Sequence, residues 1–256
     1  MNESNSIGAA TKLFGFIAEK AQSNRFSVTL NKRFKERGDD AMIIPMNIRE
    51  DDLFFTVSNM RASQLKGAAI GAEYQKEVIE LLDSASELVT QCGYCDALSV
   101  VDGKLHGEII SAGALLAFLA AKSAKKVAVI GAGALARSLA LSTEGMELHF
   151  YHEYVEALME MGAAIGRSDL DINRCAEGMD VDLGGYDAVV DACRMSSLEM
   201  ITALPPLAVD FRGKDSASPL KERSMQLGAT YAGYDELLPY MTQCAYDLWM
   251  KQQEIQ

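Results

Sequence analysis

The chain is short of positive charge: 24 Lys and Arg stand against 36 Asp and Glu in 256 residues, a formal net charge of -12. No basic stripe offsets that balance, which argues against a nucleic-acid footprint, since that needs a basic face toward phosphate. Long apolar runs are also missing, and none reaches the length of a membrane span. The N-terminus "MNESNSIGAATKLFGF" lacks the basic n-region and apolar h-region of a secretory leader. Five cysteines are an odd count for a secreted disulfide framework. These absences point to a cytoplasmic protein with no nucleic-acid and no membrane partner. Cys92 and Cys95 form a C-x-x-C in "QCGYCDAL", but between a helix and a strand rather than at the opening of a helix, and no second cysteine pair completes a metal site.

The length suits two moderate domains. "TKLFGFIA" and "DDAMIIPMNI" read as buried strands around a basic amphipathic helix, "SVTLNKRFKERG". "EDDLFFTVSNMRAS" reads as a second helix and "LKGAAIGA" as a third strand. A long helix is expected over "EYQKEVIELLDSASELVTQ", and a hairpin turning at Asp-Gly over "ALSVVDGKLHGEII". Residues 1–110 thus form one α/β unit. After the helix "SAGALLAFLAAKSA", apolar strands alternate with helices, the pattern of a parallel sheet covered on both faces. That gives a second unit over 111–232. A last amphipathic helix lies in 233–256, "YDELLPYMTQCAYDLWMKQQ".

"VAVIGAGALAR" places Gly131, Gly133 and Ala136 in a G-x-G-x-x-A spacing between a strand and a helix. The first glycine allows a tight turn, the second a close backbone approach to a pyrophosphate, and the alanine a close helix–strand packing. The free N–H groups of the helix that opens at Ala134 then face the phosphates. An acidic residue follows about 20 positions on, Glu153, at the end of the next strand. A carboxylate there hydrogen-bonds a ribose 2′-hydroxyl and repels a 2′-phosphate, so the cofactor is NAD or NADP, with the balance toward NAD. Arg194, just past a strand of the same unit, is a further cofactor candidate.

Several segments together resemble the shikimate/quinate dehydrogenase family from about Lys12 to Trp249. "LKGAAIGAEYQKEVIELLD" is similar to its G-x-N-V-T-[IV]-P-x-K segment, and "CGYCDALSVVDGKLHG" to its G-A-V-N-T-V-V-x-x-D-G-x-L-x-G. "VAVIGAGALAR" resembles its cofactor loop and "VVDACRM" its I-N-A-T-P-x-G-M. "AVDFRGKDSASPLKERSMQLGATYAGYDELL" resembles its V-x-D-x-x-Y-x-P-x-x-T-x-L-L tail. The resemblance implies an N-terminal α/β substrate domain, a C-terminal Rossmann-like dinucleotide-binding domain, and a last helix that packs back on the first domain. It also implies hydride transfer to or from a small-molecule hydroxyl, with a lysine and an aspartate handling the proton.

The departures concentrate at the working positions. Aligned without gaps, the family's catalytic lysine falls on Gln75, and its Asn, Thr and Pro on Ala69, Gly71 and Glu73. Its N-T-D aspartate falls on Ser111, the asparagine of G-A-V-N-T on Asp96, and the arginine of the phosphate-reading N-R-T on Glu153. The H-S-x-S-P segment, which holds the substrate carboxylate, is replaced by "QSNRFS", leaving Ser23, Arg25 and Ser27 as candidates. Gln75, Ser111 and Lys76 are the catalytic candidates and Asp96 a substrate contact. A pocket with Asp96 and no lysine suits an amine-bearing ligand better than shikimate. Lys76 would take the lysine's place only after a one-residue slip; otherwise it is a helix-surface charge paired with Glu73. His106 is a second proton carrier to consider. Three readings stay open: an NAD(P)-dependent oxidoreductase for a hydroxy/keto or amino/imino acid other than shikimate; a non-catalytic dinucleotide- or metabolite-binding protein; or a shikimate dehydrogenase with misaligned motifs. The chain is compatible with a monomer or a homodimer.

Overall fold

A computed structural model describes residues 10–193 and 195–251. The chain divides into two compact units, one running to Ile110 and resuming at Thr242, the other spanning Ser111–Met241.

The first unit is built on β1 (Lys12–Ala18), α1 (Phe26–Arg37), β2 (Ala41–Asn47), α2 (Glu50–Asn59) and β3 (Leu65–Ile70), followed by β4 (Ser84–Ala85), α3 (Glu87–Cys92), β5 (Ala97–Val101) and β6 (Lys104–Glu108). Its six-stranded sheet has the order β2-β1-β3-β5-β6-β4. Strands β1, β2 and β3 run parallel, whereas β5 is antiparallel to both β3 and β6. Pro45 sits in β2, an edge strand, where its missing N–H costs no ladder bond. The β5–β6 hairpin turns on Asp102 (φ 51°) and Gly103 (φ 71°), the two positive-φ residues of a type I′ turn.

The second unit contains α4 (Ser111–Ala121), β7 (Lys126–Ile130), α5 (Ala134–Ser142), β8 (Glu147–His152), α6 (Val155–Ala164), β9 (Asp171–Arg174), β10 (Val181–Asp182) and β11 (Ala188–Asp191). These are followed by β12 (Ile201–Ala203), β13 (Leu207–Asp210), α7 (Pro219–Leu227), β14 (Thr230–Ala232) and α8 (Tyr234–Lys251). Its main sheet, β14-β13-β11-β7-β8-β9, is parallel throughout. Counted along the chain, that is the 3-2-1-4-5-6 order of a doubly wound dinucleotide-binding sheet, with its direction switch between β7 and β11. The central strands are buried on both faces, as "VAVI", "AVVD" and "LAVD" require. Helix α8 starts in the second unit, and its residues from Thr242 onward belong to the first. There Trp249 stacks on Phe14 at 4.6 Å and donates its indole N–H to the Leu98 carbonyl at 3.0 Å.

Two expectations need correction. The long helix over 73–91 does not form. Residues 72–76 make a turn, Glu77–Leu81 a 3₁₀ segment, and only Glu87–Cys92 is α-helical. The cause is competition from β6: the Asp83 N–H donates to Leu105 O and the Ser86 N–H to Gly107 O, drawing Ser84–Ala85 into the sheet. The Ser86 hydroxyl then caps α3 by accepting from the Val89 N–H. In the second unit, β9, β10, β12, α7 and β14 are present beyond the elements expected. Helix α7 carried its own boundary signals, a capping Ser218, Pro219 at its first turn and Gly228 after its end, but a thin apolar stripe.

Candidate active site

The glycine loop joins β7 to α5. Gly131 has φ 131°, and a Cβ there would stand 2.8 Å from the Cβ of Cys193 and 3.1 Å from its backbone N, so only glycine fits. Its N–H donates to Tyr151 O at 2.8 Å, tying the loop to β8. Gly133 is the residue before α5; a Cβ there meets nothing within 4 Å. The two glycines therefore serve opposite needs, one a close protein contact and the other open space over a helix N-terminus. Ala134 opens α5, and Ala136 is fully buried beneath it. Glu153 is exposed directly after β8, two residues beyond the carbonyl that holds Gly131. Next to it, the Tyr154 N–H donates to His152 Nδ1 at 3.1 Å. Arg194 lies outside the described residues.

Candidate residues in the first unit gather on the turn after β3. The Gln75 amide donates from Nε2 to Ile70 O at 3.3 Å, and its backbone carbonyl accepts from the Cys95 N–H at 2.8 Å. The Ile70 N–H in turn donates to the Asp96 carbonyl at 2.9 Å, so Gln75 and Asp96 share one backbone junction. Asp96 is 2% exposed, and its Oδ1 accepts from the Ile110 N–H at 2.6 Å. This carboxylate holds the backbone as it leaves β6, a task the sequence pattern did not suggest.

Lys76 is exposed ahead of the 3₁₀ segment, and its expected ion pair with Glu73 is not made. The Glu73 carboxylate instead accepts from the Glu19 N–H at 2.6 Å. His106 on β6 is engaged at both ring nitrogens, Nδ1 with the Ser84 hydroxyl at 2.9 Å and Nε2 with Glu108 at 3.0 Å. Ser23 donates to Lys20 O, Arg25 is exposed, and Ser27 is buried with a hydroxyl that has no hydrogen-bond partner among the described residues. Ser111, buried at the start of α4, belongs to the second unit. Cys92 and Cys95 are buried and not joined in a disulfide, and burial pushes the Cys95 thiol up to about 12, which disfavours its thiolate. Among the described residues no cluster of ligating side chains fits a metal, and no helix is long and apolar enough to cross a membrane.

No family model matches the chain. Relatives do. The shikimate dehydrogenase (NADP(+)) of Oceanobacillus iheyensis is 25% identical, covering 93% of this chain and 91% of its own. That of Methanocaldococcus jannaschii is 23% identical over 73% and 69%. In the same direction, the enzyme of Pyrococcus furiosus is 26% identical, but the matched stretch spans only half of either chain, 52% of this one and 50% of the relative. Over most of its length the chain is similar to shikimate dehydrogenases, as a divergent relative of them. A shikimate dehydrogenase crystallised with NADP+ superposes with a TM-score of 0.76 at 18% identity, over 98% of this chain and 94% of that one. The 5-ketofructose reductase of a Gluconobacter strain reaches 0.75 at 19%, over 95% and 94%. At such identities the superpositions speak for the fold alone, two domains of which one is Rossmann-like.

Two buried carboxylates that the sequence reading did not single out, Asp191 and Asp210, end the adjacent strands β11 and β13. Their signal was in plain view: "AVVD" and "LAVD" each end an apolar strand in a carboxylate.

Proposed function

We propose that this protein is an NAD(P)-dependent oxidoreductase acting on a small hydroxy/keto or amino/imino acid other than shikimate. The observation that carries the reading is Gln75. It stands where the related enzymes' resemblance places a lysine, and its amide is tied into its own turn through Ile70 O. Lys76, solvent-exposed one residue along, is the weaker candidate for that place. The glycine loop fits a dinucleotide: Gly133 leaves open space before α5, and the N–H groups of that helix provide the anion contacts. A nicotinamide bound there supplies or accepts the hydride. Glu153, exposed past β8, favours a free ribose 2′-hydroxyl and hence NAD.

Gln75 of the first unit offers an amide N–H to a substrate oxygen or nitrogen, and Ser111 of the second unit remains a separate candidate through its hydroxyl. Neither group titrates near neutrality, so the proton that accompanies hydride transfer comes from solvent rather than from a lysine. Asp96, engaged with the Ile110 N–H, orients the chain beside Gln75, and Ser23, Arg25 and Ser27 remain candidate contacts for an acidic group.

The test is calorimetry with NAD, NADH, NADP and NADPH on the wild type and on Gly133→Asp, followed by a screen of hydroxy and amino acids with the cofactor that binds. Binding of the NAD pair that vanishes in the variant, with no turnover of shikimate, is the expected result. Failure of all four dinucleotides to bind overturns the oxidoreductase reading. Ready oxidation of shikimate overturns the substrate reading alone.

A further inference from the structure

Strands β11 and β13 end side by side in two carboxylates, Asp191 and Asp210, which are register partners and only 3% and 1% exposed. Their surroundings differ. Asp210 receives three donors: the Arg212 N–H at 2.8 Å and the Tyr231 hydroxyl at 2.6 Å on Oδ1, and the Ser218 hydroxyl at 2.6 Å on Oδ2. Both oxygens of Asp210 are therefore satisfied. Asp191 has weaker support, all on Oδ1: the Cys193 N–H at 3.1 Å, the Met195 N–H at 3.4 Å and the Cys193 thiol at 3.6 Å. Its Oδ2 is buried with no partner among the described residues.

The charged and titratable groups around it offer little compensation. The Arg212 guanidinium donates to the carbonyls of Met195 and Ala217, and the Tyr231 hydroxyl is committed to Asp210. Cys193 and Cys175 carry thiols pushed up by burial, to about 12 and about 11, and Arg194 lies outside the described residues. An ionised Asp191 would place a buried charge, hydrogen-bonded on one oxygen only, beside another carboxylate. Protonation leaves only an unpaired hydroxyl, a much smaller penalty. Burial first, and the proximity of Asp210 second, raise its pKa against the weaker pull of the turn's N–H donors.

Asp191 also has a structural client. The turn it organises is the one whose Cys193 packs against Gly131. We propose that Asp191 is a positioning residue held as a neutral carboxylic acid, and that it seats Cys193 against the glycine loop only while it keeps its proton. Ionisation would draw water to Oδ2, loosen the turn, and let Gly131 lose its packing partner. A group whose proton is held more tightly in the fold than in the unfolded chain stabilises fully at low pH and ceases to do so as pH rises through its folded pKa. Seating of the loop should follow the same direction.

Infrared spectroscopy of the unliganded protein across pH 5–9 tests this, with dinucleotide affinity measured in parallel. The wild type should show the carbonyl band of a protonated carboxyl that disappears as pH rises, and Asp191→Asn should lack it at every pH. Across that titration the wild-type dinucleotide Kd should weaken at least tenfold, whereas the Asp191→Asn Kd should stay flat. Asp210→Asn, which removes the neighbouring charge, should move the band's midpoint to lower pH, and it serves as the second variant if Asp191→Asn does not fold. Absence of the band from pH 5 upward, or a midpoint that Asp210→Asn leaves in place, overturns the proposal. The affinity arm rests on the dinucleotide reading above. If the wild type binds no dinucleotide that reading falls, while the infrared arm still decides the state of Asp191.

Discussion

Gly131 and Gly133 lie two residues apart in one loop, and the structure assigns them different reasons for being glycine. Alanine at 131 would need φ near 131°, a region costing an L residue about 1–3 kcal/mol, and would press its methyl to 2.8 Å from the Cys193 Cβ. Overpacking of that kind adds roughly 1–3 kcal/mol. The two terms give a loss of about 2–6 kcal/mol, or a fall in Tm of at least about 4 °C at this chain length. Gly133 has an ordinary φ of -81° and nothing within 4 Å of the added methyl. Its only penalty is that alanine is a poorer residue than glycine before a helix, about 1 kcal/mol or less. A methyl there instead fills the space a pyrophosphate would enter, so dinucleotide affinity should fall by roughly tenfold or more, about 1.4 kcal/mol per tenfold. Calorimetric melting and dinucleotide titration of both variants separate the two effects. A Gly133→Ala protein that melts as low as Gly131→Ala, or that binds dinucleotide as the wild type does, would refute the division of labour.

Three further outcomes are expected. Trp249→Phe removes the indole donor from the Leu98 carbonyl and should cost about 1–3 kcal/mol in a denaturant titration; a loss under half a kcal/mol would mean the bond is idle. Lys76→Ala should leave turnover and the shape of the pH–rate profile unchanged and stability within about 0.5 kcal/mol, because the side chain is exposed; a loss of activity would restore Lys76 as the proton carrier. Asp83 is held below the usual carboxylate range by the Arg61 guanidinium and the Leu105 N–H, so its contribution is present above its unfolded pKa and lost as pH falls through the folded one. Hydrogen exchange at the β4–β6 edge should therefore quicken in mild acid in the wild type and show a weaker pH response in Arg61→Ala.

The second unit was the more legible of the two because its physics is local. An apolar strand, a glycine turn and a helix that follow one another within 17 residues, from Lys126 to Ser142, announce a parallel βα unit, and the 3-2-1-4-5-6 order follows once such units repeat. The stretch from Glu73 to Gln91 was misread because its helical composition is real but its backbone N–H groups are claimed from a distance. Asp83 and Ser86 donate to residues about 20 positions later on β6, and no window of sequence contains both ends of those bonds. Tertiary pairing overrode propensity there, as it commonly does for short segments.

The same contrast explains the uneven legibility of the site. The roles of Gly131 and Gly133 follow from backbone geometry at their own positions. Those of Gln75 and Asp96 depend on a junction made by Ile70, Cys95 and Ile110, where a carboxylate expected to meet a ligand amine is already bonded to a backbone N–H. For Asp191 and Asp210 the informative fact is a difference between two residues with the same sequence context. Three donors surround one carboxylate, while the other keeps an empty oxygen, and only the packing of β13, β14 and the segment before α7 creates that asymmetry. The buried carboxylate pair at the carboxyl ends of β11 and β13 stands beside the glycine loop, through the packing of Cys193 on Gly131. There a proton would govern how the loop is seated rather than travel to the substrate.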